Sequence, residues 1–344
     1  MKIIIRRAAT MFAFISLSLP AVSQTSAQLQ EYFQNSISLT AEQIADIRNG
    51  KAVAKILPSR APEEIFVFGA VYIKAAPESY LHFATDFDRL REIPGYLAVR
   101  QFSNPPQLSD LDGFTLDKQD IDALRNCKPG HCEVQLPAQA MENMQQSIQW
   151  DVPDLEEQVN QLLHRRAIDR LLAYERQGNA VLGTYYDKNE PIDVPRQFAY
   201  MLSYARVLPS YLPDFYKYLL DYPNGKSPQF ADTFYWAKVK FGLKPTLRVV
   251  HLITMRGRSS GEPAYAIAEK QLYSSHYFET ALDLTFCIRG SEDGGFYLIK
   301  EMGSEQAGLT GVKGSLVRKV AMGRTASSLQ QSLDTIKSML ETKR

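Results

Sequence analysis

The last third of the chain most narrows what it can fold into. Five runs rich in apolar, β-branched and aromatic residues follow one another there. They are Phe234–Phe241, Thr246–Arg256, Ala264–Phe278, Ala281–Ile288 and Gly295–Lys300. Such runs separated by short polar turns read as an antiparallel set of strands, and Glu292-Asp293-Gly294-Gly295 reads as the hairpin turn between the last two. One long helix, Gly314 to Leu340, then closes the chain. Leu316, Val320, Leu329, Leu333, Ile336 and Leu340 recur along it at helical steps, interrupted near the middle by Gly323 and Arg324.

The front half supplies fewer strands. Thr40 with Gln43 forms a capping box, and Asn49-Gly50 a stop, so a short helix lies between them with Ile44 and Ile47 on one face. Residues 65–74 read as a strand. Pro77 starts a helix carrying Tyr80, Leu81, Ala84, Phe87 and Leu90, which Pro94-Gly95 stops before an extended stretch at 96–102. Asp154 to Gln177 is a long amphipathic helix ending at Gly178. Residues 195–222 are crowded with tyrosine and phenylalanine and are broken into short helices by Pro209 and Pro213. Aromatics of this kind suit core or lid packing, and also a ligand gate that is apolar on one side and wet on the other.

The N-terminus speaks to location. Lys2, Arg6 and Arg7 precede an apolar run from Ala8 to Leu19, followed by small residues at Ala21, Ser23, Thr25 and Ala27. This is the order of a secretory signal peptide, and the run is shorter than the ~20 residues a membrane helix takes. Removing residues 1–27 leaves 36 basic residues against 38 acidic ones. A near-neutral chain is a poor nucleic-acid binder, because such binding depends on neutralising phosphates. The expected product is a soluble periplasmic or secreted protein. In Cys127-Lys-Pro-Gly-His-Cys132, the Pro129-Gly130 turn brings two sulfurs together, and export permits a disulfide. Cys287 lies in the apolar stretch 284–288 and reads as a buried free thiol.

Strand, helix, helical interlude, antiparallel strands and one long terminal helix together resemble the helix-grip fold of START-like and Bet v 1-like proteins. The matching parts are Ile65–Phe102 and Asp232–Leu340. The fold class is α+β, an antiparallel sheet curved around a long C-terminal helix with an inserted helical region. The domain plan is residues 28–120 and 230–344 for the START-like body and 121–229 for the insertion. The resemblance implies a ligand cavity between sheet and terminal helix, of the kind that holds lipids, sterols or polyketides. The insertion either caps that cavity or stands apart as a separate domain.

No catalytic signature is decisive, and no catalytic residue, metal ligand or cofactor is assigned. Gly257-Arg-Ser259-Ser-Gly261 has nucleophile-elbow spacing, but Pro263 and a strand follow where a helix is required. The glycine-dotted 308–315 segment lacks the Lys-Ser/Thr of a phosphate loop. No histidine pair has metal-ligand spacing on a helix. The residues placed at a ligand are His276, Lys270, His251, Tyr273, Tyr277 and Trp236. His276 and Lys270 share the even-numbered side of their strand with Ala266, Ala268 and Leu272, while Tyr265, Ile267 and Tyr273 hold the other side. Both sides are apolar, so the strand's direction stays open. An acid, an amine and an imidazole gathered there could also serve acid–base chemistry. Lys313, Arg318, Lys319 and Arg324 make the start of the terminal helix basic, able to meet anionic lipid head groups.

Three readings follow. The first is an exported protein that binds or carries a hydrophobic small molecule, lipid or sterol-like. The second is a cyclase or hydrolase acting on a hydrophobic substrate in the same cavity. The third is an envelope protein-interaction module that uses the tyrosine-rich insertion. An apolar cavity favours the first, converging ionisable groups the second, and a filled core with exposed tyrosines the third. The leader gives a direct test: intact mass from the native cell is expected to show a chain beginning at residue 24 or 28. A full-length chain would contradict export.

Overall fold

The computed structural model describes residues 27–342, apart from 94, 189, 206–210, 242–243, 259–262, 291–293, 307 and 310. The leader, the Ser259 turn, Pro94, Pro209 and the Glu292-Asp293 turn lie outside the described residues. The strands are β1 (Val53–Leu57), β2 (Glu64–Ile73), β3 (Tyr96–Gln101), the small pair β4 (Thr184–Tyr185) and β5 (Ile192–Asp193), β6 (Phe230–Phe241), β7 (Lys244–Arg256), β8 (Tyr265–Ser274), β9 (Phe278–Arg289) and β10 (Phe296–Gln306). Apart from β4 and β5 they form one open antiparallel sheet in the order β1-β2-β10-β9-β8-β7-β6-β3. The chain is thus α+β, with a large antiparallel sheet and a long C-terminal helix, Gly311–Thr342.

Both faces of the sheet are covered. The terminal helix lies along β2 on one face, and the short helices Pro77–Thr85 and Phe87–Leu90 share that face. Leu329, Leu333, Ile336 and Leu340 pack there on Val67, Val71 and Leu298. Gly69 makes the seat, because a Cβ at that position would lie 2.7 Å from Leu329 and 2.8 Å from Leu333. At one end Arg318 donates to the Pro62 carbonyl at 2.8 Å; at the other the Lys74 N–H donates to Glu341 at 2.8 Å. The helix therefore runs in the direction of β2. The opposite face carries the segment before β1 and the whole interlude between β3 and β6. Phe33, Phe114, Leu171, Phe198 and Phe215 join Trp236, Ile253, Ala268 and Leu284 in one apolar core.

The Thr40–Gln43 capping box is present, and its helix spans Ala41–Arg48. The helix from Pro77 breaks at Asp86, whose extended backbone (φ −93°, ψ 91°) lets its carboxylate accept from the Arg89 N–H and cap a second short helix. β1 was not foreseen from the sequence: its five residues sit at an edge, with only Val53 fully buried. The terminal helix runs unbroken through Gly323, and the apolar stripe breaks near there as expected. Leu316 and Val320, expected on the buried stripe, are 68% and 47% exposed. The nine residues from Val320 to Leu329 make about two and a half turns, which puts them on the side away from the sheet. Cys127 and Cys132 form the expected disulfide, and Cys287 is buried and free.

Gly69→Val is expected to lower stability by about 1–3 kcal/mol, the usual cost of overpacking. Urea unfolding reads this out, and an unchanged midpoint would contradict the described seat of the helix.

Candidate functional site

The structure settles the direction of β8. Ala266, Ala268 and Lys270 face the inserted helices, while Tyr265, Ile267 and Glu269 face the terminal helix. The even-numbered set therefore points away from the terminal helix, opposite to the orientation that would place it in a grip cavity. A register shift between Val249 and Val250 breaks the alternation, so both Leu272 and Tyr273 lie on the insertion side.

The six residues singled out from the sequence fall into separate places. Lys270 and His251 are fully buried beneath the insertion and share one network. Lys270 donates from Nζ to the Tyr174 hydroxyl at 3.2 Å. Tyr174 Oη lies 3.1 Å from His251 Nδ1, and His251 Nε2 lies 3.0 Å from Asp232 Oδ1. One assignment of protons satisfies every member: amine to phenol, phenol to imidazole, imidazole to carboxylate. Lys270 also donates to Asn179 Oδ1 and sits 3.9 Å from the Phe198 ring centroid. Tyr218 and Lys226 donate to Asp232 as well. Gly178 permits this arrangement: its φ of +67° ends the Leu155–Gln177 helix, and a Cβ there would collide with the Tyr222 carbonyl. Tyr222 consequently stacks on Tyr174 at 4.9 Å.

The other four lie elsewhere. His276 sits in the turn after β8, 2.8 Å from Asp120 and 3.1 Å from the Glu133 carbonyl, and Lys244 bridges the same two acids. Tyr277 accepts from the Lys244 N–H at 2.9 Å. Trp236 donates to the Asp110 carbonyl at 2.7 Å and packs edge-on against Phe114. The Tyr273 hydroxyl is buried without a hydrogen-bond partner among the described residues. His251 and His276 thus do not meet. Sequence reasoning missed Tyr174 and Asp232, which join the network from distant segments and carry no local motif.

Burial outweighs the attraction of Asp232 and brings the His251 imidazole down to about 4. Burial opposes the Asp232 charge, but hydrogen bonds from His251, Lys226 and Tyr218 hold that carboxyl down at about 2. Burial likewise brings the Lys270 ammonium well below the lysine range. The relay has the components of acid–base chemistry in a closed setting, where it ties the insertion to the sheet.

Two other features stand apart from the relay. A cavity of about 570 Å³ is walled by β1, β2, β9 and β10, by Met201 and Tyr204 of the insertion, and by Arg318 and Met322 of the terminal helix. Phe66, Leu282, Leu284 and Met302 make most of its remaining wall apolar. Tyr32 donates to Glu301 at 2.5 Å within it, and Lys55 stands beside them. Next to Met302 in register is Asp283, and opposite Asp283 is Glu269. These two acids, with Lys300 and Arg248, lie half-buried on the face under the terminal helix. Tyr235 donates to Glu269 at 2.6 Å. Among the described residues Asp283 and Lys300 have no hydrogen bond or ion pair, and Arg248 Nε is buried without a partner. Burial, followed by repulsion from Glu269, pushes Asp283 up to about 6. Burial opposes the Lys300 charge, but Tyr80, Glu269, Asp283 and Tyr96 outweigh it and hold the ammonium above the lysine range.

No protein-family model matches the chain, and no curated protein sequence matches it.

The relay has a measurable consequence. His251 titrates lower in the folded protein than in the unfolded chain, so the unfolded chain binds more protons between pH ~6.5 and ~4. The resulting stability is fully present above that window and is lost as the pH falls through it. Asp232 adds a second loss below pH ~4, whereas Asp283 and Glu305, both raised, act in the opposite sense. His251→Asn isolates the first effect. Its destabilisation relative to wild type is expected to shrink by about 2–3 kcal/mol between pH 7 and pH 4. A pH-independent difference in urea unfolding would contradict a neutral, buried His251.

Proposed function

We propose that this is an exported carrier of a hydrophobic or amphipathic small molecule, lipid or sterol-like, built on a START-like helix grip with the insertion as its lid. The carrying observation is the cavity of about 570 Å³ that sheet, terminal helix and insertion wall together. Its size falls within the usual range of ligand sites, roughly 300–1,000 Å³. Met201, Met302 and Met322 give it adaptable walls, suited to a ligand recognised by bulk and greasiness rather than by a fixed polar pattern. Tyr32, Glu301 and Lys55 in its lining suit a polar end on the same molecule. The leader and the Cys127–Cys132 disulfide support an oxidising compartment.

A second reading rests on the Glu269–Asp283 pair. Two carboxyls side by side, one hydrogen-bonded by Tyr235 and one pushed up to about 6, are the components of a general acid and base. An enzyme acting on an amphipathic substrate would use them.

Organic extraction of protein purified from its native host, followed by mass spectrometry, is expected to yield one class of amphipathic molecule. Leu284→Trp, which fills the cavity, is expected to lose it while circular dichroism stays unchanged. A folded protein that yields nothing and takes up neither fatty acid nor sterol would contradict the carrier. If the wild type chemically converts the molecule when it is added back and Asp283→Asn does not, the enzyme reading replaces it.

A further inference from the structure

The terminal helix is apolar on two sides where one would suffice. Met322, Leu329, Leu333 and Ile336 face the protein. In the first three turns, Leu316, Val317 and Val320 face away from it and are 68%, 54% and 47% exposed. Leu316, Val320 and Arg324 are each four residues apart and form one stripe, with Val317 beside it. Lys319 is exposed on one flank of this apolar strip, and Arg324 is exposed at its C-terminal end. Arg318 instead turns back to the Pro62 carbonyl and the Ser59 hydroxyl.

Charge tells what would cover the strip. From Gln306 to Leu333 the sequence holds Lys313, Arg318, Lys319 and Arg324 and not one Asp or Glu. The chain without its leader is slightly acidic, so this segment concentrates positive charge against the overall balance. An exposed apolar strip flanked by cations is what an interfacial helix presents to anionic lipid: side chains enter the acyl boundary while ammonium and guanidinium groups meet phosphate. A soluble protein partner would not by itself call for a helix stripped of acids over this length.

We propose that the exposed face of the terminal helix, centred on Leu316, Val320, Lys319 and Arg324, docks the protein on an anionic phospholipid bilayer. The surface does not depend on what the cavity holds, although the same turns of helix supply the cavity wall at Arg318 and Met322.

Co-sedimentation of the full mature chain with vesicles tests this. Binding is expected to vesicles of equal parts phosphatidylcholine and phosphatidylglycerol, to weaken with salt, and to be much poorer with phosphatidylcholine alone. K319Q/R324Q is expected to weaken binding on the order of 25-fold, about fivefold per charge removed. L316S/V320S is expected to weaken it by a comparable factor while leaving salt dependence in place. All four side chains are exposed, and circular dichroism checks that the variants stay folded. Absence of binding to anionic vesicles, equal binding to neutral ones, or undiminished binding of K319Q/R324Q would overturn the proposal. So would a wild-type dimer that L316S/V320S dissolves, since a second copy would then be the occupant. Extraction of a ligand from K319Q/R324Q separates the two ideas: a loaded but non-docking variant leaves the cavity reading intact.

Discussion

A sheet whose strands are apolar on both faces must be buried twice, and everything else here follows from that. β2 is buried at all ten of its positions. A single terminal helix with two short companions can dry one side of the eight strands. The other side would expose Trp236, Ile253, Ala268, Leu284 and their neighbours to water, at a cost of roughly 1.5–3 kcal/mol for each large side chain. The inserted region is the second cover. Its helices share one core with the sheet, so it is a layer of the fold.

The same constraint decides how much the sequence could reveal. The long strands of the last third, β2, β3, the capping box, the disulfide turn and the terminal helix are legible in the sequence, because each rests on local spacing or turn chemistry, while the edge strand β1 and the short β4–β5 pair are not. The orientation of β8 was not. Alternation identifies a buried face only when the other face is polar, and here Ala266 and Ala268 alternate with Tyr265 and Ile267. Of the site, Lys270 and His251 were legible as polar groups inside apolar runs. Their partners were not, since Tyr174 and Asp232 come from a helix and a strand whose meeting is a fact of topology. A charge within the apolar runs 281–288 and 295–300 is the signal that marks Asp283 and Lys300.

The two covers differ in what they enclose. Under the insertion one chain of polar groups is complete: from Lys270 through Tyr174 and His251 to Asp232 each donor has an acceptor, while the Tyr273 hydroxyl on the same side has no hydrogen-bond partner among the described residues. On the terminal-helix face, among the described residues, Asp283 and Lys300 have no side-chain hydrogen bond or ion pair, and Arg248 Nε is buried without a hydrogen-bond partner. The cavity has the terminal helix and the insertion as two of its walls.

Hydrogen–deuterium exchange on emptied and ligand-loaded protein tests the shared cavity most directly. A ligand held there is expected to slow exchange together in three separate segments, residues 55–59, 201–205 and 318–322. Protection confined to one segment, or appearing around Lys270 and His276 instead, would contradict a site built jointly by sheet, insertion and terminal helix.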